Sequence, residues 1–308
     1  QKYYVAPFAD LLYEYGSTCL EKNEEGDEER AFSLLNQALD IYQEIGAIKR
    51  VERIRSRMVR EETAREAVSK LKPTVKVSKG VPGHIATGYA DLDRLLCGGL
   101  PENYAVALTA PSCDERALLI KRFLEEGTGN GEVTFYLTAD PGDAKSLAEE
   151  FRSNFYLFVC NPQADAIVKD SPNMFKLKGV ENLTNISIAL TSAIRKLDPS
   201  LKSPRRICIG LISDVLLQHH AVQTRRWLSG LIPELRSNGF TTLAVMDPMM
   251  HPSHEVRAVL DLFEGEINVY ERENEKGSAK YMKIKKMISQ KYLENELLLK
   301  REELQKPK

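Results

Sequence analysis

The sequence predicts an α/β fold: a parallel-core sheet with helices on both faces and terminal antiparallel strands, preceded by a small all-α domain. Three observations predict it. Short apolar runs alternate with amphipathic helical stretches from residue 84 onward, the pattern of a parallel sheet covered on both sides. Two stretches that alternate apolar and polar residues, Glu266–Arg272 and Lys280–Met287, are separated by Glu275-Lys276-Gly277-Ser278, a hairpin signal. Residues 1–72 carry only helical periodicity and are set off by Pro, Gly and Ser between Pro73 and Gly83. The 308 residues suit about two domains.

At the N-terminus, Phe8, Leu11, Leu12 and Tyr15 recur at helical spacing, and Gly26-Asp27 interrupts them. A second helix follows, with Ala31, Leu34, Leu35, Ala38, Leu39, Ile41, Tyr42 and Ile45 in a broad apolar stripe that Gly46 stops. The piece Ala31–Gly46 resembles a tetratricopeptide-type helix; a plain two-helix cap is the alternative. The stripe is too wide for one short hairpin to bury, so docking on a partner, a copy or the rest of the chain is expected, with Leu35, Leu39 and Tyr42 at its centre. Arg50, Arg53, Arg57 and Arg60 then form a basic stripe on a charged helix: a solvated face with internal ion pairs, or a partner-binding patch.

The division expected is 1–72 helical, 73–83 linker, 84–290 α/β, and 291–308 a C-terminal helix or tail. Strands are expected at Tyr104–Ala110, Val133–Thr138, Asn173–Lys178, Ile207–Leu211 and Thr242–Met246. Helices are expected at Ala117–Glu126, Ala144–Asn154, Ile186–Leu197 and Gln223–Asn238. Asn161–Leu197 reads as an insert or crossover.

Composition narrows the function. Lys plus Arg number 43 against 44 Asp plus Glu, a net charge of −1, which argues against an overall basic nucleic-acid coat but leaves room for a local patch. The apolar runs fall far short of the ~18 residues of a membrane span, and no signal segment is visible, so no membrane partner is expected. The chain begins at Gln1 rather than Met, which points to residues before it. Cys19, Cys97, Cys113, Cys160 and Cys208 lack CxxC spacing, and no His cluster completes a metal site; free thiols in a reducing cytosol, and no metal, are expected. His219-His220 point apart, and His251 and His254 are expected in a Pro-rich loop.

The stretch from His84 to Gly127 resembles the opening of KaiC-like ATPases of the RecA superfamily. It carries their T-G-x-x-x-L-D-x-L-L-x-G-G-L-P segment as Thr87, Gly88, Leu92, Asp93, Leu95, Leu96, Gly98, Gly99, Leu100 and Pro101. The resemblance implies a RecA-like core over most of residues 84–290, with a phosphate loop after the first core strand. At that place stand Ala110, Pro111, Ser112, Cys113, Asp114, Glu115, Arg116 and Ala117. The G-x-x-x-x-G-K-[ST] pattern is lost at each defining position. Glu115 replaces a Gly whose neighbourhood attracts anions. Arg116 replaces the Lys with a bulkier group. Ala117 replaces the hydroxyl that would hold Mg²⁺.

Two further family positions differ. After the second strand, where the family carries an acidic pair, Thr138 and Ala139 stand, with Asp140 one place on. On the strand matching Walker B, Gly210 stands where an Asp belongs, and Asp214 lies four residues later. The family's terminal R-K-M-R-G is here Lys285-Lys286-Met287-Ile288-Ser289. Phosphoryl transfer rests on positioning and charge neutralisation, so these losses together imply a non-catalytic pseudo-ATPase with no cofactor. It would act as a regulatory or scaffolding module through protein contacts and self-association, as a homodimer or hetero-complex.

Two alternatives stand beside it. One is an ATPase using Arg116, Asp140 and Asp214 unconventionally. The other is an RNA- or ribosomal-subunit-binding factor. From Arg272 to Lys308 there are 11 Lys/Arg against 6 Asp/Glu, and Lys280, Lys283, Lys285 and Lys286 cluster around Tyr281. Such a strand can track a phosphate backbone. Lysines that protect an edge strand from pairing give the same pattern.

Overall fold

The computed structural model describes residues 5–22, 27–52, 54, 82–140, 142, 147, 154–167, 171–197, 203–274 and 277–305. The chain divides into two compact units, Gln1–Ser78 and Lys79–Lys308.

In the first unit, α1 (Val5–Lys22) and α2 (Asp27–Glu44) pack on each other. Gly46, at φ 72°, ends the second helix in the left-handed conformation; Ala47 N–H returns to the Tyr42 carbonyl at 2.9 Å. Residues 48–52 and 54 are helical again. Ala9, Leu12, Tyr13, Leu35, Ala38, Tyr42 and Ile54 form a buried cluster, with Leu34, Leu39, Ile41 and Ile45 packed at its margin. The stripe on α2 is thus largely covered inside its own unit, because α1 and the segment after Gly46 both lean on it. Apolar surface is left open on α1, where Phe8, Leu11 and Tyr15 are exposed, and at Ile48 after α2.

The second unit opens with β1 (His84–Ile85), α3 (Ala90–Leu95) and β2 (Leu100–Pro101), the two strands pairing antiparallel. The core elements follow: β3 (Ala105–Thr109), α4 (Asp114–Gly129), β4 (Val133–Thr138), β5 (Phe155–Cys160), α5 (Ala164–Ile167), β6 (Met174–Leu177), α6 (Leu183–Lys196), β7 (Arg205–Ile209), α7 (Ile212–Ser237), β8 (Phe240–Met246) and α8 (Ser253–Leu260). The chain then forms β9 (Gly265–Asn274), β10 (Gly277–Met287), β11 (Leu297–Leu298) and α9 (Arg301–Gln305). The large sheet has nine strands in the order β11-β10-β9-β3-β8-β7-β4-β5-β6. Pairing from β9 to β6 is parallel; β9–β10 and β10–β11 are antiparallel.

Each face carries a core. Val106, Leu108 and Tyr136 point to the side of α3, α4 and the C-terminal segment, whose Leu299 and Leu304 are buried there. Ala105, Ala107, Phe135 and Leu137 point to the side of α6, α7 and α8. This period-two division of β3 and β4 is what a sheet covered on both faces requires. Phe135 anchors the second core, with ring centroids 4.9, 5.3 and 4.8 Å from those of Tyr156, Phe158 and Phe240.

Several expectations need correction. The run Phe155–Cys160, not among the expected strands, is a fully paired one, and of the two readings of Asn161–Leu197 the crossover holds: α5, β6 and α6 lie between β5 and β7. Helix α7 begins at Ile212 rather than Gln223, broken at His220 (φ 53°, ψ 176°). His251 follows a 3₁₀ turn, Pro248–Met250, and His254 is helical rather than in a loop. The C-terminal segment is an extended strap ending in α9, pinned by Leu293 N–H to the Leu95 carbonyl at 2.8 Å and by Arg122 Nε to the Leu304 carbonyl at 2.8 Å. Among the described residues no helix is long and apolar enough to cross a membrane.

Candidate nucleotide-site position

The carboxyl ends of parallel strands are where an open α/β sheet places its ligands. Here β3, β8, β7 and β4 end side by side at Thr109, Met246, Ile209 and Thr138. The segments beyond them bring Ala110–Arg116, Asp247–His251, Gly210–Asp214 and Thr138–Asp140 to one edge.

The loop after β3 is held by its own neighbours. Ala110 N–H bonds the Met246 carbonyl at 3.0 Å, continuing the β3–β8 ladder. Ser112 N–H donates to Asp247 Oδ2 at 3.0 Å. Arg116 folds back over the loop: Nη2 donates to Ser112 Oγ at 3.1 Å, Nη1 to the Ala110 carbonyl at 3.4 Å, and Nη1 lies 4.0 Å from Asp247 Oδ2. Cys113 precedes α4 in extended conformation without capping it through its side chain, and burial raises its thiol pKa. The next residues are paired too. Asp114 meets Arg301 of α9 at 2.8 Å, and Glu115 meets Lys280 of β10 at 3.4 Å. Burial pushes the Glu115 carboxyl up, but its own backbone N–H, Lys280 and Cys113 outweigh that and hold it below the ordinary value. Ala117 lines an apolar cavity of about 150 Å³ with Leu124, Tyr136 and Leu147.

On the adjoining strands, Gly210 N–H bonds the Leu137 carbonyl at 2.8 Å, and a Cβ at 210 would lie 3.3 Å from the Tyr136 hydroxyl. Tyr136 therefore flanks the place where any side chain at 210 would start. Asp214 stands in the first turn of α7, with its carboxyl pKa raised by burial against the pull of its own N–H, His251 and Arg116. Asp140 is exposed and spends Oδ1 on Gly142 N–H at 2.8 Å, a local turn. Asp247 links three of these segments: its Oδ2 takes Ser112 N–H, its Oδ1 takes Met249 N–H at 2.9 Å, and its backbone N–H donates to Ser213 Oγ at 3.0 Å. Its only sequence signal is an Asp-Pro directly after a buried strand.

The residues that match the family segment do structural work. Thr87 N–H donates to Asp93 Oδ1 at 2.7 Å, fixing the turn into α3. Gly88 (φ 84°) and Gly99 (φ 109°) sit where a side chain would run into the carbonyls of Arg122 and Ile85. Leu92, Leu95, Leu96 and Leu100 are buried.

The predicted partner-binding residues are less free than expected. Arg50 Nη1 donates to Asp10 Oδ2 at 2.9 Å, and the Tyr42 hydroxyl bonds the same carboxylate, so this cation clamps the hairpin. Arg53 and Arg57 lie outside the described residues. Leu35 and Tyr42 are buried and Leu39 half-buried. On β10, Lys285 pairs with Glu266 at 2.8 Å, Lys283 approaches Glu296 at 4.0 Å, and Lys286 Nζ donates to the Leu260 carbonyl at 3.4 Å. With Lys280 on Glu115, the lysine cluster is matched by acids and a carbonyl rather than left as an open basic track.

No curated protein matches the chain. Among solved structures, a KaiC-like protein from the hyperthermophilic archaeon Pyrococcus horikoshii superposes with a TM-score of 0.51 at 18% identity, over 72% of this chain and 94% of that one. At that identity the likeness speaks for the fold, and it agrees with the RecA-like core expected from the sequence. The KaiC ATPase family pattern matches residues 85–300, well over half the chain, from β1 to the strap after β11. This chain belongs to the KaiC ATPase family.

Proposed function

We propose that this chain is a non-catalytic member of its family, a pseudo-ATPase that works as a regulatory or scaffolding module through protein contacts and self-association. One observation carries the reading: the Ser112 N–H of the loop after β3 is bonded to the Asp247 carboxylate. A phosphate cradle needs such N–H groups free, and a carboxylate in their path repels the ligand. The other residues at the edge agree. Ala117 offers no oxygen to Mg²⁺, Gly210 no carboxylate, and Asp140 is engaged in a turn. These side chains do not fit Mg·ATP.

Calorimetric titration with Mg·ATP tests the reading. No binding tighter than millimolar is expected, and a micromolar dissociation constant would overturn it. Self-association as a homodimer is read from the open face of α1 and checked by light scattering; a cytoplasmic location belongs to the same proposal.

A second reading, binding to RNA or a ribosomal subunit, has one observation in its favour. Tyr270 and Tyr281 stack at 6.1 Å across β9 and β10, with the Arg272 guanidinium 4.8 Å from the Tyr281 ring centre and Lys283 Nζ 5.0 Å from that of Tyr270. Aromatic and cationic groups in this arrangement suit single strands. Purifying the tagged native protein with and without nuclease separates the two: RNA or ribosomal proteins support the second reading, protein alone the first.

A further inference from the structure

We infer that the Asp247 carboxylate is the resident anion of the loop after β3, standing in for a phosphate group and closing the loop to anions from solution. The inference rests on the pseudo-ATPase reading and names the device that keeps the site shut.

The placement follows from the sheet. β8 is the parallel neighbour of β3, with Met246 in register with Thr109. The residue after Met246 therefore emerges beside the residue after Thr109, and a carboxylate there reaches the loop without any adjustment of the chain. The Asp247 side chain is 8% exposed. Its two oxygens are used in the manner of a bound anion: Oδ2 by Ser112 N–H at 3.0 Å, Oδ1 by Met249 N–H at 2.9 Å, with the Arg116 guanidinium 4.0 Å from Oδ2. Ser213 Oγ fixes the backbone of the same residue at 3.0 Å. Arg116 retains positive charge at the position of the family's lysine, and its hydrogen bonds go to Ser112 Oγ and the Ala110 carbonyl within the loop, beside the Asp247 carboxylate.

Charge decides what this does. An incoming phosphate would have to take the Ser112 N–H from a buried carboxylate while approaching it, and like charges in a poorly solvated place repel strongly. Glu115 and Asp114, on the first turn of α4, add two more carboxylates near that approach, held by Lys280 and Arg301. Removing the Asp247 charge leaves a loop N–H and the Arg116 guanidinium facing the vacated place. Such a pair accepts an anion.

The test uses the full chain, with inorganic phosphate and pyrophosphate as probes, without Mg²⁺. Binding is followed by calorimetry and by thermal shift, against chloride at matched ionic strength. Asp247→Ala is expected to bind pyrophosphate at least about tenfold more tightly than the parent, because a unit charge a few ångströms from the ligand is gone. Asp247→Asn keeps the hydrogen-bonding shape and removes the charge, so it should gain affinity as well, and it serves if the alanine variant does not fold. Adding Arg116→Ala should abolish the gain. The inference is overturned if folded Asp247→Ala and Asp247→Asn bind these anions no better than an inert parent, or if the gain survives Arg116→Ala. A parent that binds Mg·ATP at micromolar concentration would instead sink the pseudo-ATPase reading, so the two failures are distinguishable.

Discussion

The guanidinium of Arg206 meets the carboxylate of Glu132 at 2.6 Å in the interior, with the Arg206 side chain fully buried. Its other nitrogen, Nη1, donates to the carbonyls of Ala86 at 3.0 Å and Phe123 at 2.8 Å, and the cation lies 4.7 Å from the Phe123 ring centre. One side chain on β7 thus joins the segment before α3, α4 and the turn into β4. Burial lowers the Arg206 pKa, and the Glu132 carboxylate opposes that.

Removing one member leaves a buried charge without its partner. Glu132→Ala is expected to cost about 3–5 kcal/mol. The double variant Arg206→Met with Glu132→Leu should recover much of the loss, because it removes both desolvated charges. Denaturant midpoints measure both. A Glu132→Ala protein within about 1 kcal/mol of the parent would contradict the buried pair.

Restoring the loop alone should not restore chemistry. The triple variant Glu115→Gly, Arg116→Lys, Ala117→Thr regains the family's second glycine, lysine and hydroxyl, but Asp247 still holds Ser112 N–H and position 210 still lacks a carboxylate. Phosphate release should stay at the parent's background. Release above it would show that other residues supply the missing groups.

Gly210→Asp is expected to be tolerated poorly. Its Cβ would lie 3.2 Å from the Leu137 carbonyl and 3.3 Å from the Tyr136 ring and hydroxyl. A loss of about 1–3 kcal/mol is the usual cost of such overpacking. Tyr136→Ala in the same chain should relieve part of it. A Gly210→Asp protein melting with the parent would mean that Tyr136 moves aside freely.

Acid should weaken this edge through His251. Burial lowers its pKa below 6.5, against the pull of Glu255, Asp247 and Asp214. A histidine with a depressed folded pKa contributes stability that is present above pH 6.5 and lost as pH falls through the folded value. Asp214 works in the opposite sense: its folded pKa is raised, so acidification through that value favours the folded state. His251→Gln should therefore flatten the fall in melting temperature just below pH 6.5. An unchanged slope would mean that His251 does not titrate differently in the folded chain.

Much of the sheet was legible because it is local. Val133–Thr138 has the expected bounds, and the β9–β10 hairpin appears where alternation flanks Gly277. The run Phe155–Cys160 is as apolar as the other strands, but it follows the expected helical stretch Ala144–Asn154 with no Gly or Pro to mark where a strand begins. The first half of α7 was hidden because Leu211, Ile212, Val215 and Leu216 continue the apolar run of β7. Asp247 and Arg206 were hidden for a different reason. Each acts through neighbours supplied by sheet order, β8 beside β3 and β7 beside β4, and no window of sequence contains that adjacency. The lysines of β10 misled in the same way, since their acids come from α4, β9 and the strap.

The last prediction concerns the N-terminal hairpin. Leu35 is fully buried and Leu39 packs at the edge of the same cluster, so the face of α2 is occupied by its own unit. Leu39→Asp should then lower the stability of the helical unit, seen as an earlier loss of far-ultraviolet circular dichroism on heating, with no direct effect on mass. On α1, Phe8 is 54% and Leu11 65% exposed, with Tyr15 on the same side one turn further on. Each large apolar side chain covered there contributes about 1.5–3 kcal/mol, enough for a few of them to hold two copies together. Leu11→Glu puts a charge in that face without touching the buried cluster. It should leave the far-ultraviolet circular dichroism unchanged at room temperature and halve the mass in light scattering. If the mass of the parent is already that of one chain, or if Leu11→Glu leaves a dimer intact, self-association through α1 is wrong and the hairpin docks by another surface.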